Sequence, residues 1–144
     1  MFSAGRNLWF RAVHRTLPTS QRLHELIPEH HATNICQLCH TTIDSSSHFL
    51  FSCPVRWSVW THTWGSIFLC EPDERNLLQV IMDLRWDLIP THAFVEYTNV
   101  IQGTLLALWR SYWNLIFNNH PFDPIQVSRS ALNIIHSLQA PSDD

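Results

Sequence analysis

The side chains with the greatest chemical reach lie between Asn34 and Pro54, in the stretch NICQLCHTTIDSSSHFLFSCP. Cys36, Cys39, His48 and Cys53 follow the spacing C-x2-C-x8-H-x4-C. Structural zinc takes four soft or borderline ligands in a tetrahedron, commonly thiolates and imidazoles. Two cysteines separated by two residues fit one tight turn that aims both sulfurs at a single ion, and His48 with Cys53 supplies the second pair. Ser45, Ser46 and Ser47 suit a loop tip between the pairs. Phe49, Leu50 and Phe51, set between ligands, can pack the module onto neighbouring helices. A loop this short cannot form a core of its own, so the expected role of the ion is structural.

Other chemistries compete for the same residues. Cys36-Gln37-Leu38-Cys39-His40 fits C-x-x-C-H, the pattern that attaches a c-type haem. Haem would need an oxidising compartment and a second axial ligand, yet Met82 is the one internal methionine. A thioredoxin-like pair would want a βαβ context, which is missing from the pattern. Cysteines packed without metal are a third reading, because free cysteine is a common core residue. His30, His31, His40 and His62 are near enough in sequence to stand in for His48, so the fourth ligand stays open at this level. Cys70, seventeen residues past Cys53, reads as a core cysteine. Catalytic zinc keeps a position open for water and a carboxylate beside it. Four protein ligands close the shell, and Asp44, the one acid inside the module, reads as a loop residue on solvent.

The elements that must position this cluster have helical spacing. Asn7 to Leu17 places Trp9, Val13 and Leu17 at i, i+4, i+8, with Phe10 beside them, and Pro18 stops the run. Thr19 or Ser20 can cap a short second helix through Leu23, Leu26 and Ile27, giving an N-terminal helical hairpin. From Pro54 onward Trp57, Trp60, Trp64 and Phe68 form one aromatic face, read as core packing. Pro72-Asp73 opens a helix through Leu77, Val80, Ile81 and Leu84, which breaks before Pro90. Thr91 can cap the longest segment, whose apolar positions run Phe94, Ile101, Leu105, Leu108, Trp109, Tyr112, Trp113 and Ile116. A 25-residue helix there would span about 38 Å, and Gly103 inside it allows a bend or a close helix crossing. Asp123-Pro124-Ile125-Gln126 reads as a cap, a first-turn proline and a capping-box glutamine, followed by Val127, Ala131, Ile134 and Leu138 on one face. The expected fold is all-α: a small helical domain with an irregular CCHC zinc-knuckle module inserted between the N-terminal hairpin and a Trp-rich helix. It reads as a single domain over 1–144, with a module at 7–60, a helical extension at 61–139 and a tail at 140–144.

Composition bounds the function. The 144 residues are 45% hydrophobic with seven tryptophans, enough for a large aromatic core. All nine Lys+Arg residues are arginine. Residues 1–62 carry five arginines against three acids, a net +2, and the remainder carries four against nine, a net −5. An acidic chain without lysine is poorly equipped for strong independent binding to nucleic acid. The basic excess near the cysteines makes Arg6, Arg11, Arg15, Arg22 and Arg56 candidate nucleic-acid contacts within something larger. No apolar run is long enough to span a bilayer and the start lacks the features of a secretory signal, so the expected location is intracellular, nucleus or cytoplasm, with no membrane partner. No P-loop, nucleophile elbow or dinucleotide fingerprint occurs, and no enzyme is expected.

Taken as an ordered set, Trp9-Phe10, Leu17-Pro18-Thr19, Leu23, Cys36, Cys39, His48, Phe49, Phe51, Cys53-Pro54 and Val59-Trp60 resemble the zinc-binding domain on the C-terminal side of non-long-terminal-repeat (LINE-like) retrotransposon reverse transcriptases. The resemblance covers about residues 7 to 60, and the later ALWRSYWNLIF is similar in flavour to a weaker helical extension. It implies one zinc ion on Cys36, Cys39, His48 and Cys53, and a parent in which the domain helps position template RNA or target DNA. One departure concerns the family's Glu-Thr-x-x-His: serines precede the histidine here, with Asp44 four residues ahead of His48. The polymerase and endonuclease of a full element are missing from this sequence, so the chain resembles a detached piece. An alternative from another class is a protein-interaction module that uses a Trp-rich helical face.

Overall fold

Caps and breaks in the sequence set most helix ends. The computed structural model describes residues 3–13, 17 and 19–139, with side chains described from residue 7 onward. Helix α1 spans Ser3–Val13 and buries Leu8, Trp9 and Ala12. Its Trp9 indole donates to the Ile81 carbonyl at 3.0 Å. Phe10 instead faces outward, and the stop expected at Pro18 lies outside the described residues. Thr19 is the N-cap of α2 (Ser20–Leu26), its hydroxyl accepting from the Arg22 amide at 3.2 Å. Leu23 of α2 is buried, whereas Leu26, expected beside it, is exposed.

Between α2 and α3 the chain makes turns, one antiparallel bridge between Ile35 and Ile43, and a single π-helical turn at His48–Ser52. Helix α3 (Pro54–Phe68) starts with proline in its first turn, where no amide is needed, and ends on Leu69 in the left-handed region. Trp60 and Trp64 are buried, and the Trp60 indole donates to the Leu50 carbonyl at 2.7 Å. The aromatic face of α3 is therefore core. Cys70, just past the end of α3, is exposed where a core position was expected, because the left-handed Leu69 turns the chain outward.

Helix α4 (Glu74–Met82) is capped by Asp73, whose carboxylate accepts from the Asn76 amide. It ends before Leu84, which takes a positive φ and is exposed, not the last core position of the helix. Two 3-10 turns, Trp86–Leu88 and Thr91–Ala93, lead to α5, so Thr91 begins a short turn and Phe94 begins the helix. Helix α5 (Phe94–Asn118) has the expected 25 residues. Its middle is buried on every side, Thr98 through Leu108 included, while Phe94 and Trp113 near its ends are exposed. Helix α6 (Pro124–Gln139) starts after Asp123, whose carboxylate accepts from the Ile125 amide at 3.1 Å.

The architecture is all-α, with no strand among the described residues. Helix α5 is its axis: α1, α3 and α6 pack on it, α6 also meets α3, and α1 also meets α4. One apolar cluster runs through all of these, from Leu8 and Trp9 through Trp60, Ile81 and Leu105 to Ile135. In α6 the buried face is Val127, Ser128, Ala131 and Ile135; Ile134 and Leu138, expected to line it, are half-buried. The face is rotated because α6 must seat Ile135 against Gly103 of α5. A Cβ on Gly103 would lie 2.5 Å from Ile135 Cγ1 and 3.3 Å from the Ala131 carbonyl oxygen. The missing side chain lets the two helices cross closely, which is the use that an interior helical glycine needs.

Gly103→Ala tests this crossing. In an open helix the change would stabilise by about 1 kcal/mol, but here the clash should reverse the sign, with a net loss of about 1–3 kcal/mol in urea unfolding. A stabilised Gly103→Ala protein would refute the close crossing.

Candidate metal centre

Each candidate ligand is delivered by a different local device. Cys36 and Cys39 share a turn held by the Cys36 amide on the Thr42 carbonyl at 2.8 Å and the His40 amide on the Cys36 carbonyl at 3.0 Å. His40 closes that turn with φ of 57° and is exposed. His48 opens the π-helical turn, its amide donating to Ser45 Oγ at 3.3 Å and its carbonyl accepting from the Cys53 amide at 3.2 Å. The two later candidates are thus fixed to one another through the backbone. Thr42 Oγ1 lies against the imidazole, 3.2 and 3.4 Å from its two nitrogens. Cys53 is the N-cap of α3, where free helical amides and the helix dipole favour a thiolate.

The four side chains converge. The Sγ atoms of Cys36, Cys39 and Cys53 and a ring nitrogen of His48 all lie within 4.8 Å of one another. Cys36 Sγ is 3.8 Å from Cys53 Sγ, and Cys39 Sγ is 3.3 Å from His48 Nε2. A tetrahedral ion with Zn–S bonds of about 2.3 Å sets its thiolates about 3.8 Å apart, so the sulfur spacing suits zinc and is far too long for a disulfide. Of the histidines nearby in sequence, His48 is the one in this group. The Cys3His cluster fits one structural zinc ion.

Two sulfurs sharing one proton explain the split in their acidities. The hydrogen bond with Cys53, helped by burial, pushes the Cys36 thiol up to about 12. The same bond brings Cys53 down to about 7, assisted by the Val55 and Arg56 amides and the Arg56 charge. Cys53 is thus readied as a thiolate, and the Cys39 thiol is also brought down, burial being outweighed by hydrogen bonds from Thr41 and His48.

Behind the sulfurs stands an ion pair that sequence reading placed at the surface. Arg56 and Asp44 both have fully buried side chains, with Arg56 Nη1 2.8 Å from Asp44 Oδ1 and Nη2 3.4 Å from Oδ2. Asp44 Oδ2 also accepts from the Ser20 amide at 3.1 Å, at the start of α2. The guanidinium lies over the rings of Phe49, at 4.2 Å, and Tyr112, at 5.0 Å. The Tyr112 hydroxyl is 2.7 Å from Ser20 Oγ. Asp44 is therefore a buried junction and not a solvent-facing loop residue, because α2, the π turn and α5 close over it. Arg56 leaves the set of candidate nucleic-acid contacts for the same reason.

Of the other arginines in that set, Arg11 is exposed and Arg22 half-buried. Arg15 and the side chain of Arg6 lie outside the described residues. The junction was missed although a signal for it existed. Asp44 stands four residues before His48, and Ser45, three before it, sets its hydroxyl 3.3 Å from the His48 amide.

With this geometry in place, comparison with known proteins adds the family. Residues 4–60 match the family model described as zinc-binding in reverse transcriptase. No curated protein and no solved structure matches the chain.

Removing one partner of a buried pair leaves the other as an uncompensated charge, at a cost of about 3–5 kcal/mol. Asp44→Ala should therefore lose about that much in urea unfolding of the zinc-loaded chain. The double change Asp44→Leu with Arg56→Met should lose less than the sum of the two single changes. Additive losses would show that the two residues do not act as a pair.

Proposed function

We propose that Cys36, Cys39, His48 and Cys53, within the segment that matches the family model for zinc-binding in reverse transcriptase, hold one zinc ion and that the ion's work is to fold the chain. The convergence of four ligand atoms within 4.8 Å carries this reading. Four protein ligands fill a tetrahedral shell, as in structural sites, whereas catalytic zinc keeps one position for water. The nearest acid in the module, Asp44, is committed to Arg56 and the Ser20 amide, so it is not placed to act as a general base. When bound, the ion supplies crosslinking and no bond chemistry. Closing the 36–53 loop holds Phe49 against Tyr112, with ring centroids 5.2 Å apart, and Phe51 against Trp60, at 5.6 Å. Binding free energy for the ion then becomes folding free energy.

The parent from which such a domain derives is a LINE-like reverse transcriptase, and there it would assist the placement of template RNA or target DNA. What supports this is the family match together with the net positive charge of the first 62 residues, where Arg11 and Arg22 are the arginines with accessible side chains among the described residues. No helix among the described residues is long and apolar enough to cross a membrane. A second reading, a protein-interaction module, draws on the exposed rings of Trp113 and Phe117, 4.2 Å apart on the last turns of α5.

Zinc content is the direct measurement. The purified chain should carry one zinc per molecule, Cys36→Ser and Cys53→Ser should each lose it, and a chelator should abolish cooperative unfolding. A metal content well below one, or serine variants that fold as well as the parent, would sink the reading.

For the nucleic-acid role, Arg11→Ala with Arg22→Ala should weaken binding of the full chain to single-stranded RNA or duplex DNA. The slope of log K against log salt should fall by about 1 to 2 if both arginines neutralise phosphates. An unchanged slope would remove these arginines from the interface.

A further inference from the structure

Three thiolates and one neutral imidazole around a divalent cation leave the centre with a net charge of −1, and that charge sits in a poorly solvated place. Cys36 and Cys53 are fully buried and His48 nearly so. Burying an unbalanced charge is costly unless an opposite charge is held nearby. Arg56 is the cation in position. It rises from the first turn of α3, three residues after Cys53, and its Nη1 lies 3.8 Å from Cys36 Sγ. Its Nε is buried without a hydrogen-bond partner. The Phe49 and Tyr112 rings and Asp44 keep the guanidinium from turning towards water.

Resting on the zinc reading above, we propose that Arg56 is a positioning residue for the metal centre: its fixed positive charge offsets the excess negative charge of the Cys3His site and so retains the ion, while Asp44 holds the guanidinium in place. Outer-shell partners of this kind typically change metal affinity 10–100-fold when lost. The network also runs outward from the ion through Arg56 and Asp44 to Ser20, and from Ser20 to Tyr112. The same residue thereby connects metal retention to the seating of α2 on α5.

A charge effect and a packing effect predict different patterns. Zinc affinity of the full chain would be measured by competition with a chromophoric chelator, alongside urea unfolding of each zinc-loaded variant. Arg56→Met should bind zinc 10–100-fold more weakly, and Arg56→Lys, which keeps the charge, should stay within about threefold of wild type. Asp44→Asn removes a negative charge near the centre while its amide oxygen can still accept from the Arg56 guanidinium, so it should lose stability and yet bind zinc no more weakly than wild type. If Arg56→Met proves too unstable to fold, the Lys and Asn variants still decide. Zinc affinity that falls with stability in both of those variants overturns the proposal, as does a folded Arg56→Met with unchanged affinity. A wild-type chain that binds no zinc overturns the zinc reading and this inference together; one zinc per wild-type chain with affinity indifferent to Arg56 overturns this inference alone.

Discussion

Everything between α2 and α3 is arranged around the buried pair of Asp44 and Arg56. A carboxylate and a guanidinium cannot leave water without each other, and here both side chains are fully enclosed. To enclose them the fold brings together four segments distant in sequence. Asp44 comes from the loop, Arg56 from α3, the Ser20 amide from α2, and the Tyr112 ring from α5. Each segment covers one side of the pair, so shifting any one of them would expose or unpair a charge. Such a pair contributes little net stability, because desolvation offsets much of the attraction; what it contributes is a single permitted arrangement.

The Cys3His cluster makes a second demand on the same segment. The 36–53 loop has no regular structure beyond one bridge and one π-helical turn, and ordering it costs conformational entropy that its own contacts are too few to repay. A zinc ion shared by the four side chains would offset that cost. The ligand cluster and the ion pair therefore act on one loop from opposite sides. One draws Cys36, Cys39, His48 and Cys53 to a point, and the other fixes the middle of the loop to the helical body. Phe49 lies between them in sequence and space, one ring face under the Arg56 guanidinium and its edge towards Tyr112.

The helical body supplies the rigid surface on which this loop is set. Helix α5 is enclosed over its middle by α1, α3 and α6, and the Gly103 crossing brings α6 close enough to complete the cover. Hydroxyls inside this core return their hydrogen bonds to their own helices, Thr63 to the Val59 carbonyl and Thr104 to the Val100 carbonyl, and lie 3.3 Å from each other across the α3–α5 contact. That keeps a partly polar interface satisfied without water. Tyr112 is the point where the body meets the module, since it belongs to α5 and packs on both Phe49 and Arg56.

Local chemistry determined a good deal of this from the sequence. Spacing alone marked Cys36, Cys39 and Cys53 and left several histidines open, because C-x2-C is a short-range geometry; the folded chain brings His48 to the three sulfurs. Thr19, Pro54, Asp73 and Asp123 mark helix starts because capping is a property of a few adjacent residues. The length of α5 was legible from periodicity, and Gly103 stood out as a residue that allowed a bend or a close crossing, of which the folded chain uses the crossing. What tertiary structure alone decided involves partners far apart in sequence. Which face of α6 is buried depends on where Gly103 lies, and the α4 end at Asp83 depends on a backbone turn that apolar spacing does not encode. Asp44 and Arg56 looked like surface charges because most charged residues are, and a buried pair is specified by both members and the groups that cover them. No spacing rule joins residues 20, 44, 56 and 112; only the folded chain makes one site of them.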